Sequence, residues 1–407
     1  MALRRVMVAG GGTGGHLFPG LAVVQELRRR QPGLEVTFVG TSRGIESRVL
    51  PGRGETLDLI DVTPLHGRTP GELLHSLGRL PGAARQALAL LRRRRPDLVL
   101  GVGGYASGPV LLAAASRGVP TALLEQNALV GLTNRLLAPL AGRAYVAFES
   151  AADQVGRGRA RLLGNPVRQD FVQAARAALA DPEGFEARAS TVLVLGGSQG
   201  AKALNETLPM ALAALELPAR GLSVLHQTGV AMRSEVEAGY REHGVPARVV
   251  PFVEDMARAY RDAVLVVARA GATTLAELCA IGRAAVLVPY PFAADDHQAR
   301  NAEALAADGA AVAIPQRHLT AGRLTSAVRG LLDEPGRRRA MAEAARRHGR
   351  PDAAAAIVDD LHAWIGPELG AGEPGRQRPA RRPVPGRAAR ACPPVHLEVL
   401  GPALLEA

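Results

Sequence analysis

Val6-Met7-Val8-Ala9-Gly10-Gly11-Gly12-Thr13-Gly14-Gly15-His16 is an apolar run that ends in a glycine-rich turn. Val192-Leu193-Val194-Leu195-Gly196-Gly197-Ser198-Gln199-Gly200 repeats the plan about half a chain later. Each run predicts a buried strand, and the glycines that close it predict a tight turn opening a helix. Such a turn leaves backbone N–H groups unpaired at the positive end of a helix dipole, which attracts phosphate or a sugar oxygen. Two copies predict an α/β fold with two Rossmann-like domains facing one another across a cleft.

Outward from these turns, strand and helix patterns alternate along the chain, as parallel sheets with helices on both faces require. The predicted strands of the first half are Arg5–Ala9, Val36–Val39, Thr56–Ile60, Leu98–Gly101, Ala122–Leu124 and Ala144–Val146. Its helices are Pro19–Arg30, Leu73–Arg94 with a break near Pro81, Pro109–Arg117 and Leu132–Leu140. The second half restarts at Thr191, with strands Val192–Leu195, Ser223–His226, Arg248–Val250, Val264–Val267, Ala285–Val288 and Ala311–Ile314. Its helices include Ala201–Leu215, Thr273–Ile281, Gln298–Ala307 and Arg323–Leu332. Gly164-Asn165-Pro166-Val167-Arg168 reads as the domain connection, because Gly, Asn and Pro interrupt regular structure. The domains are therefore expected at 1–166 and 167–350, followed by a last helix, Ala353–Ile365. From Gly366 to Ala407 the sequence turns to Pro, Gly, Arg and Ala without periodicity and is expected to be disordered.

The chain has 407 residues, enough for two domains, and is 47% hydrophobic, enough for their cores. Its net charge of +11 suits an anionic partner, although Lys202 is the only lysine and the arginine excess fits a GC-rich genome. Aromatics are only 3%, too few for stacking on single-stranded nucleic acid, so no nucleic-acid partner is expected. Cys279 and Cys392 stand far apart, without metal-ligand spacing or a disulfide framework, which suits a reducing compartment. The first strand begins too early for a signal peptide, and no apolar run is long enough to cross a membrane.

Gly10 to Gly15 fits a dinucleotide fingerprint, but the second strand ends Val39-Gly40-Thr41-Ser42 without the carboxylate that would bind ribose. Five glycines and a threonine exceed what a structural turn needs. His16 follows at the helix start and reads either as a helix-end histidine or as a general base kept neutral by the dipole. Gly101-Val102-Gly103-Gly104-Tyr105-Ala106-Ser107-Gly108-Pro109 is a third glycine turn on the same sheet edge, and Gly104, Tyr105 and Ser107 are its candidates for contact with the second substrate. Glu125-Gln126-Asn127 leaves the next strand and is expected to line the cleft.

In the second half, Arg269 to Glu277 follows a strand with small residues that admit a ligand, and Thr273 or Thr274 can cap the helix that faces it. Glu277 reads as a partner of that helix N-terminus or as a bidentate acceptor for ribose hydroxyls. Asp295-Asp296 fits a helix cap better than a metal site, since no supporting ligands accompany it. Leu73–Arg95 carries leucines and arginines with no acidic residue. It reads as a buried amphipathic helix or as a surface docking on anionic lipid through Leu77, Arg79, Leu80, Arg85 and Arg92.

Residues 11–22 (Gly-Gly-Thr-Gly-Gly-His-Leu-Phe-Pro-Gly-Leu-Ala), the turn 103–109, Glu-Gln-Asn at 125–127 and Gly-Asn-Pro-Val-Arg at 164–168 occur in order with three further features. These are Gly-Gly-Ser-Gln-Gly-Ala at 196–201, His-Gln-Thr-Gly at 226–229 and the 269–277 block. Together they resemble the MurG family, the UDP-N-acetylglucosamine:muramyl-pentapeptide-pyrophosphoryl-undecaprenol N-acetylglucosaminyltransferases of bacterial peptidoglycan synthesis. The resemblance spans about residues 5–365.

The resemblance implies the GT-B fold, with the acceptor on the first domain, the nucleotide sugar on the second, and the last helix crossing back to the first. It implies donor contacts from Thr13, Gly14, Gly15, Asn127, Arg168, Ser198, Val253, Ala272, Thr273, Thr274, Leu275, Ala276, Glu277 and Gln298. Val253 would read uracil and Glu277 would bind ribose. It also implies inversion at the anomeric centre, with helix N-termini stabilising the departing UDP and His16 as candidate base. No Asp-x-Asp motif is evident, and neither a metal nor another cofactor is expected. The expected location is peripheral, on the cytoplasmic face of the cell membrane, with an anionic lipid surface and other cell-wall synthesis or division proteins as further partners. Three other readings remain compatible with these residues: transfer to a different glycolipid or natural product, epimerisation of a UDP-sugar, and a non-catalytic membrane scaffold of the same fold.

Overall fold

The computed structural model describes residues 3–62, 70–197, 200–293 and 296–370, and the side chains of 70–80 and 367–370 fall outside the description. Ser198, Asp295 and the tail from 371, with Cys392, lie outside the described residues.

The first sheet is built from β1 (Arg5–Gly10), β2 (Glu35–Gly40), β3 (Thr56–Leu59), β4 (Leu98–Gly103), β5 (Thr121–Glu125), β6 (Arg143–Val146) and β7 (Ala160–Leu162). Between them run α1 (Gly14–Arg30), α2 (Glu46–Val49), α3 (Pro70–Arg94), α4 (Ser107–Ser116), α5 (Leu132–Leu137) and α6 (Glu149–Val155). The chain then passes through α7 (Gln169–Ala180) and α8 (Pro182–Ala187) into a second sheet. Its strands are β8 (Thr191–Leu195), β9 (Ser223–Gln227), β10 (Ala247–Val250), β11 (Ala263–Ala268), β12 (Ala285–Leu287) and β13 (Val312–Ala313). Its helices are α9 (Lys202–Ala213), α10 (Arg233–Glu242), α11 (Met256–Arg261), α12 (Ala272–Ile281), α13 (His297–Ala307), α14 (Ala321–Asp333) and α15 (Pro335–His348), and α16 (Ala353–Gly370) closes the described chain.

The seven-stranded sheet has the order β3-β2-β1-β4-β5-β6-β7 and the six-stranded sheet the order β10-β9-β8-β11-β12-β13. Every pairing is parallel. Strand order reverses between β1 and β4 in one sheet and between β8 and β11 in the other. Each reversal opens a crevice at the strands' carboxyl ends, where open α/β sheets bind ligands. The expected two Rossmann-like units are thus present. Ile357, Val358, Leu361 and Ile365 of α16 join the apolar cluster of Val6, Val8, Leu21 and Leu100, so the last helix packs on the first sheet.

Several expected boundaries are corrected. α1 starts at Gly14, not at Pro19, because the Thr13 carbonyl already accepts the N–H groups of His16 and Leu17 at 3.2 Å. α3 runs on through Pro81 with no break. Pro81 is exposed there, and a proline on a solvated face costs a helix one bond without forcing its end. α16 continues five residues beyond Ile365, so residues 366–370 are helical rather than disordered. β7 and the helices α2, α6, α7, α8, α10, α11 and α15 were not anticipated: β7, α2, α6, α8 and α11 are too short for a period to show, whereas α7 and α10 do carry a one-sided buried face that the sequence reading missed.

Candidate active site

Two glycine turns interlock at the first sheet's crevice. The Gly11 N–H donates to the Gly103 carbonyl at 3.2 Å. Gly104 has φ +82°, and a Cβ there would lie 2.4 Å from the Gly11 carbonyl oxygen. Gly103 has φ +91°, and a Cβ there would lie 2.8 Å from Cδ2 of His16. Only glycine lets these backbones touch and lets the imidazole come so close to β4's end. Glu46, absent from the sequence-based candidates, locks the arrangement. Its buried carboxylate accepts the N–H groups of Gly12 at 2.7 Å and Thr41 at 2.8 Å.

His16 occupies the first turn of α1, half-buried. Its Nδ1 lies 3.2 Å from both the Gly11 carbonyl and the Thr13 hydroxyl. A carbonyl can only accept, so the network assigns the proton to Nδ1 and leaves Nε2 as the basic nitrogen. Burial is the main cause that lowers the ring's pKa; His297 at the start of α13 lowers it further, while Glu125, the Gly11 bond and Glu46 oppose. The imidazole is therefore neutral near physiological pH. Thr13, Gly14 and Gly15 form the mouth of the same helix, and Thr13 makes no side-chain cap.

Three expected cleft residues turn inward. Glu125 is buried and accepts Asn127 N–H at 3.1 Å, Gly131 N–H at 3.0 Å and Asn134 Nδ2 at 3.0 Å. Gln126 is buried and donates to the Val102 carbonyl at 3.0 Å. Both brace the loop after β5, and only Asn127 of the three remains half-buried at the edge. Ser107 is also buried, its hydroxyl under β4, since a Cβ on Gly101 would meet it at 2.7 Å. The Ser107 hydroxyl has no hydrogen-bond partner among the described residues and does not reach the cleft surface. Tyr105 stays at the surface, 41% exposed.

On the second sheet, Gln227 at the end of β9 was not singled out as a site residue, yet it organises that edge. Its Nε2 donates to the Gly197 carbonyl at 3.0 Å, and its Oε1 accepts the Val253 N–H at 3.3 Å. The expected caps of α12 do not form: Gly271 is the N-cap residue and no side chain caps the helix. Glycine accepts the extended cap conformation, so the Thr273 hydroxyl is left buried without a partner among the described residues. Leu275 has its N–H bonded to Gly271 and its side chain in the core. The α12 N–H groups left for a ligand are therefore those of Ala272, Thr273 and Thr274. Arg269 is buried and donates to the Val288 and Pro289 carbonyls at 3.0 and 3.1 Å, tying the neighbouring strand end. Gln298 accepts the Tyr290 N–H at 3.0 Å.

Glu277 lies one turn into α12, 8% exposed. Burial pushes its carboxyl from the ordinary 4.5 up to about 7, against the pull of Arg168. The Arg168 guanidinium stands 3.6 Å from Oε1 and packs over the Phe171 ring at 5.1 Å. Such a carboxyl holds spare acceptor capacity in a dry place, a mark of functional sites. Asp296 is at the N-cap of α13 with φ +54°, yet its side chain makes no cap bond. No group of His, Cys, Asp and Glu among the described residues could hold a metal ion. Cys279 is buried, with its thiol pushed up to about 12.

On α3, Arg85 and Arg92 are exposed, whereas Arg93 and Arg94 form ion pairs with Asp58 at 2.9 Å and are not part of a free basic face. The side chains of Leu77, Arg79 and Leu80 lie outside the described residues. No helix among the described residues is long and apolar enough to cross a membrane.

With this geometry the chain matches two family models. The glycosyltransferase family 28 N-terminal domain covers residues 6–146, and the glycosyltransferase family 28 C-terminal domain covers residues 191–357. It is 46% identical over 386 residues to the UDP-N-acetylglucosamine–N-acetylmuramyl-(pentapeptide) pyrophosphoryl-undecaprenol N-acetylglucosamine transferase of Anaeromyxobacter dehalogenans, which covers 94% of this chain and 99% of that protein. The crystal structure of Acinetobacter baumannii MurG superposes with a TM-score of 0.70 at 36% identity, covering 88% of this chain and 99% of that one. A UDP-GlcNAc 2-epimerase from Neisseria meningitidis shares only the fold, with a TM-score of 0.61 at 14% identity over 89% of this chain and all of that one.

Proposed function

Since the chain belongs to glycosyltransferase family 28 and, within it, to the MurG family, we infer that it converts lipid I to lipid II in peptidoglycan synthesis. It is an N-acetylglucosaminyltransferase of the GT-B fold. N-acetylglucosamine passes from UDP-N-acetylglucosamine to the 4-hydroxyl of muramyl-pentapeptide-pyrophosphoryl-undecaprenol. The observation that carries the reading is a neutral histidine at one glycine-built crevice beside an uncapped helix N-terminus at the other.

Residues 1–166, with α16 packed on them, form the acceptor domain, and 167–350 form the nucleotide-sugar domain. The acceptor oxygen attacks the anomeric carbon in line as the bond to UDP breaks, and its proton passes to Nε2 of His16. The free N–H groups of Ala272, Thr273 and Thr274 meet the diphosphate and stabilise the charge that develops on it, with Gly196 and Gly197 after the adjacent strand β8 beside them. Glu277 accepts the ribose hydroxyls, held by Arg168. Val253 borders the uracil, and Asn127 and Gln298 border the sugar side.

Release of UDP, measured with and without the lipid-linked muramyl-pentapeptide, tests the reading. UDP is expected to accumulate only with the acceptor. Acceptor-independent release of UDP and free sugar would replace transfer by epimerase chemistry, and turnover of an unrelated acceptor in its place would move the chain to another glycolipid.

The acceptor domain docks peripherally on the cytoplasmic face of the membrane. Support comes from exposed Arg85 and Arg92 on α3 and from exposed Leu112, Leu132 and Leu136 on the neighbouring helices α4 and α5. Reversing Arg79, Arg85 and Arg92 together to Glu is expected to move the protein from anionic vesicles to the supernatant at moderate salt, each basic residue contributing about 1 kcal/mol. Cosedimentation indifferent to both the substitutions and salt would remove the docking surface.

A further inference from the structure

Asn301 sits in the second turn of α13, fully buried, and its one amide joins the two sheets. Oδ1 accepts the Ala128 N–H of the loop after β5 at 2.9 Å. Nδ2 donates to Oδ1 of Asn127 at 3.2 Å and to the carbonyl of Ala270 at 3.2 Å. Ala270 is the residue before the Gly271 N-cap of α12.

The polarity of this bridge is forced from one end. The Glu125 carboxylate accepts the Asn127 backbone N–H at 3.1 Å and its Nδ2 at 3.3 Å. Both bonds end on the same Glu125 oxygen, which is the acceptor, so the Asn127 amide turns its nitrogen to Glu125 and its oxygen to Asn301. Asn301 must then present nitrogen to Asn127 and Ala270, and oxygen to the Ala128 N–H. Every donor and acceptor of the Asn301 amide that faces this junction is used. A relay of fixed direction runs from Glu125 through Asn127 and Asn301 to the start of α12.

Two of the three bonds cross between the sheets, so they form only when the crevices stand at this separation. We propose that Asn301 is a positioning residue that latches the cleft in its transfer-competent, closed geometry by tying the loop after β5 to the N-terminus of α12. The latch rests on the reading of this cleft as the transfer site. It sets the distance between the helix that carries His16 and the helix that faces the diphosphate, which also pack against one another.

Asn301→Ala and Asn301→Asp test the latch in the full chain. The second variant is isosteric and keeps the bond accepted from Ala128, but it loses both donated bonds and sets a carboxylate against two oxygens. In both, kcat is expected to fall about tenfold, because a cleft that closes loosely misaligns the reacting atoms. Calorimetric affinity for UDP alone should stay within about twofold, since the α12 N–H groups and Glu277 remain. Asn127→Ala combined with Asn301→Ala should be no slower than the slower single variant, as members of one relay are non-additive. Solution scattering should report a larger radius of gyration for the variants than for the wild type with UDP bound.

A folded Asn301→Ala with normal kcat, a loss of UDP affinity equal to the loss of kcat, or full additivity with Asn127→Ala overturns the latch. If Asn301→Ala does not fold, the Asp variant carries the same comparison. If the wild type fails to turn over, the functional reading has failed, and the scattering difference alone decides whether Asn301 closes the cleft.

Discussion

His16→Ala is expected to fold normally and to lose about a hundred- to ten-thousand-fold in kcat, the range for removal of a general base. Donor affinity should change little, because the α12 N–H groups and the Glu277–Arg168 pair proposed to hold the nucleotide remain in place. The variant should also lose the acidic limb of its pH–rate profile. In the wild type that limb lies below the ordinary histidine range, because burial favours the neutral ring. Rate then falls as pH drops through the lowered pKa and protonates Nε2. The same shift has a stability sign. The unfolded chain binds this proton more readily than the folded one, so the contribution of His16 to stability grows as pH rises and is lost on acidification. Steady-state kinetics across pH, with circular dichroism as the control for folding, measure both. Near-normal kcat with an intact acidic limb would leave His16 as a residue that only fixes the glycine turn.

The parts of this site legible in the sequence are those written in consecutive residues. An apolar run closed by glycines specifies a strand, a turn and a helix mouth in one stretch, so His16 and the Gly196–Gly200 turn could be placed before any fold was known. The residues that hold the site in shape were hidden because their partners are remote. Glu46 lies in a helix of four residues with no periodicity, and it bonds Gly12, thirty-four positions away. Asn301 looks like an unremarkable helix residue until its partner 173 positions earlier is known. Glu125 and Ser107 erred in the opposite sense. A polar residue at a strand or helix end has two destinations, cleft or interior, and sequence alone does not rank them. Glu125 went inward because three N–H donors of its own loop and one from α5 surround it. Thr273 or Thr274 was expected to cap α12 by residue preference, but glycine one position before the helix took the cap and left the helix end without a side-chain cap.

Glu277→Ala is expected to weaken UDP-N-acetylglucosamine binding by about 1.5–3 kcal/mol, the range for hydrogen bonds to a charged acceptor. The loss should appear in the donor's Kd far more than in the acceptor's KM, because Glu277 lies on α12 with Arg168 as its ion partner. Glu277→Gln separates charge from shape. Burial holds the native carboxyl at about 7, so it is largely protonated in mildly acidic solution and ionised above neutrality. An ionised acceptor binds ribose hydroxyls more strongly, so wild-type donor affinity should climb from about pH 6 to pH 8 while the Gln variant stays flat. The diphosphate of the nucleotide sugar carries no group that titrates in that window. Folding stability should move the other way. Between pH 4.5 and about 7 the folded chain keeps a proton that the unfolded chain has released, so this group makes stability fall as pH rises. That slope should be absent in Glu277→Gln. Calorimetric titrations and chemical denaturation at matched pH values read the two trends independently. A wild-type donor affinity that does not change with pH, or a Glu277→Ala protein with unchanged affinity, would assign Glu277 to the packing of α12 and leave ribose recognition to other residues.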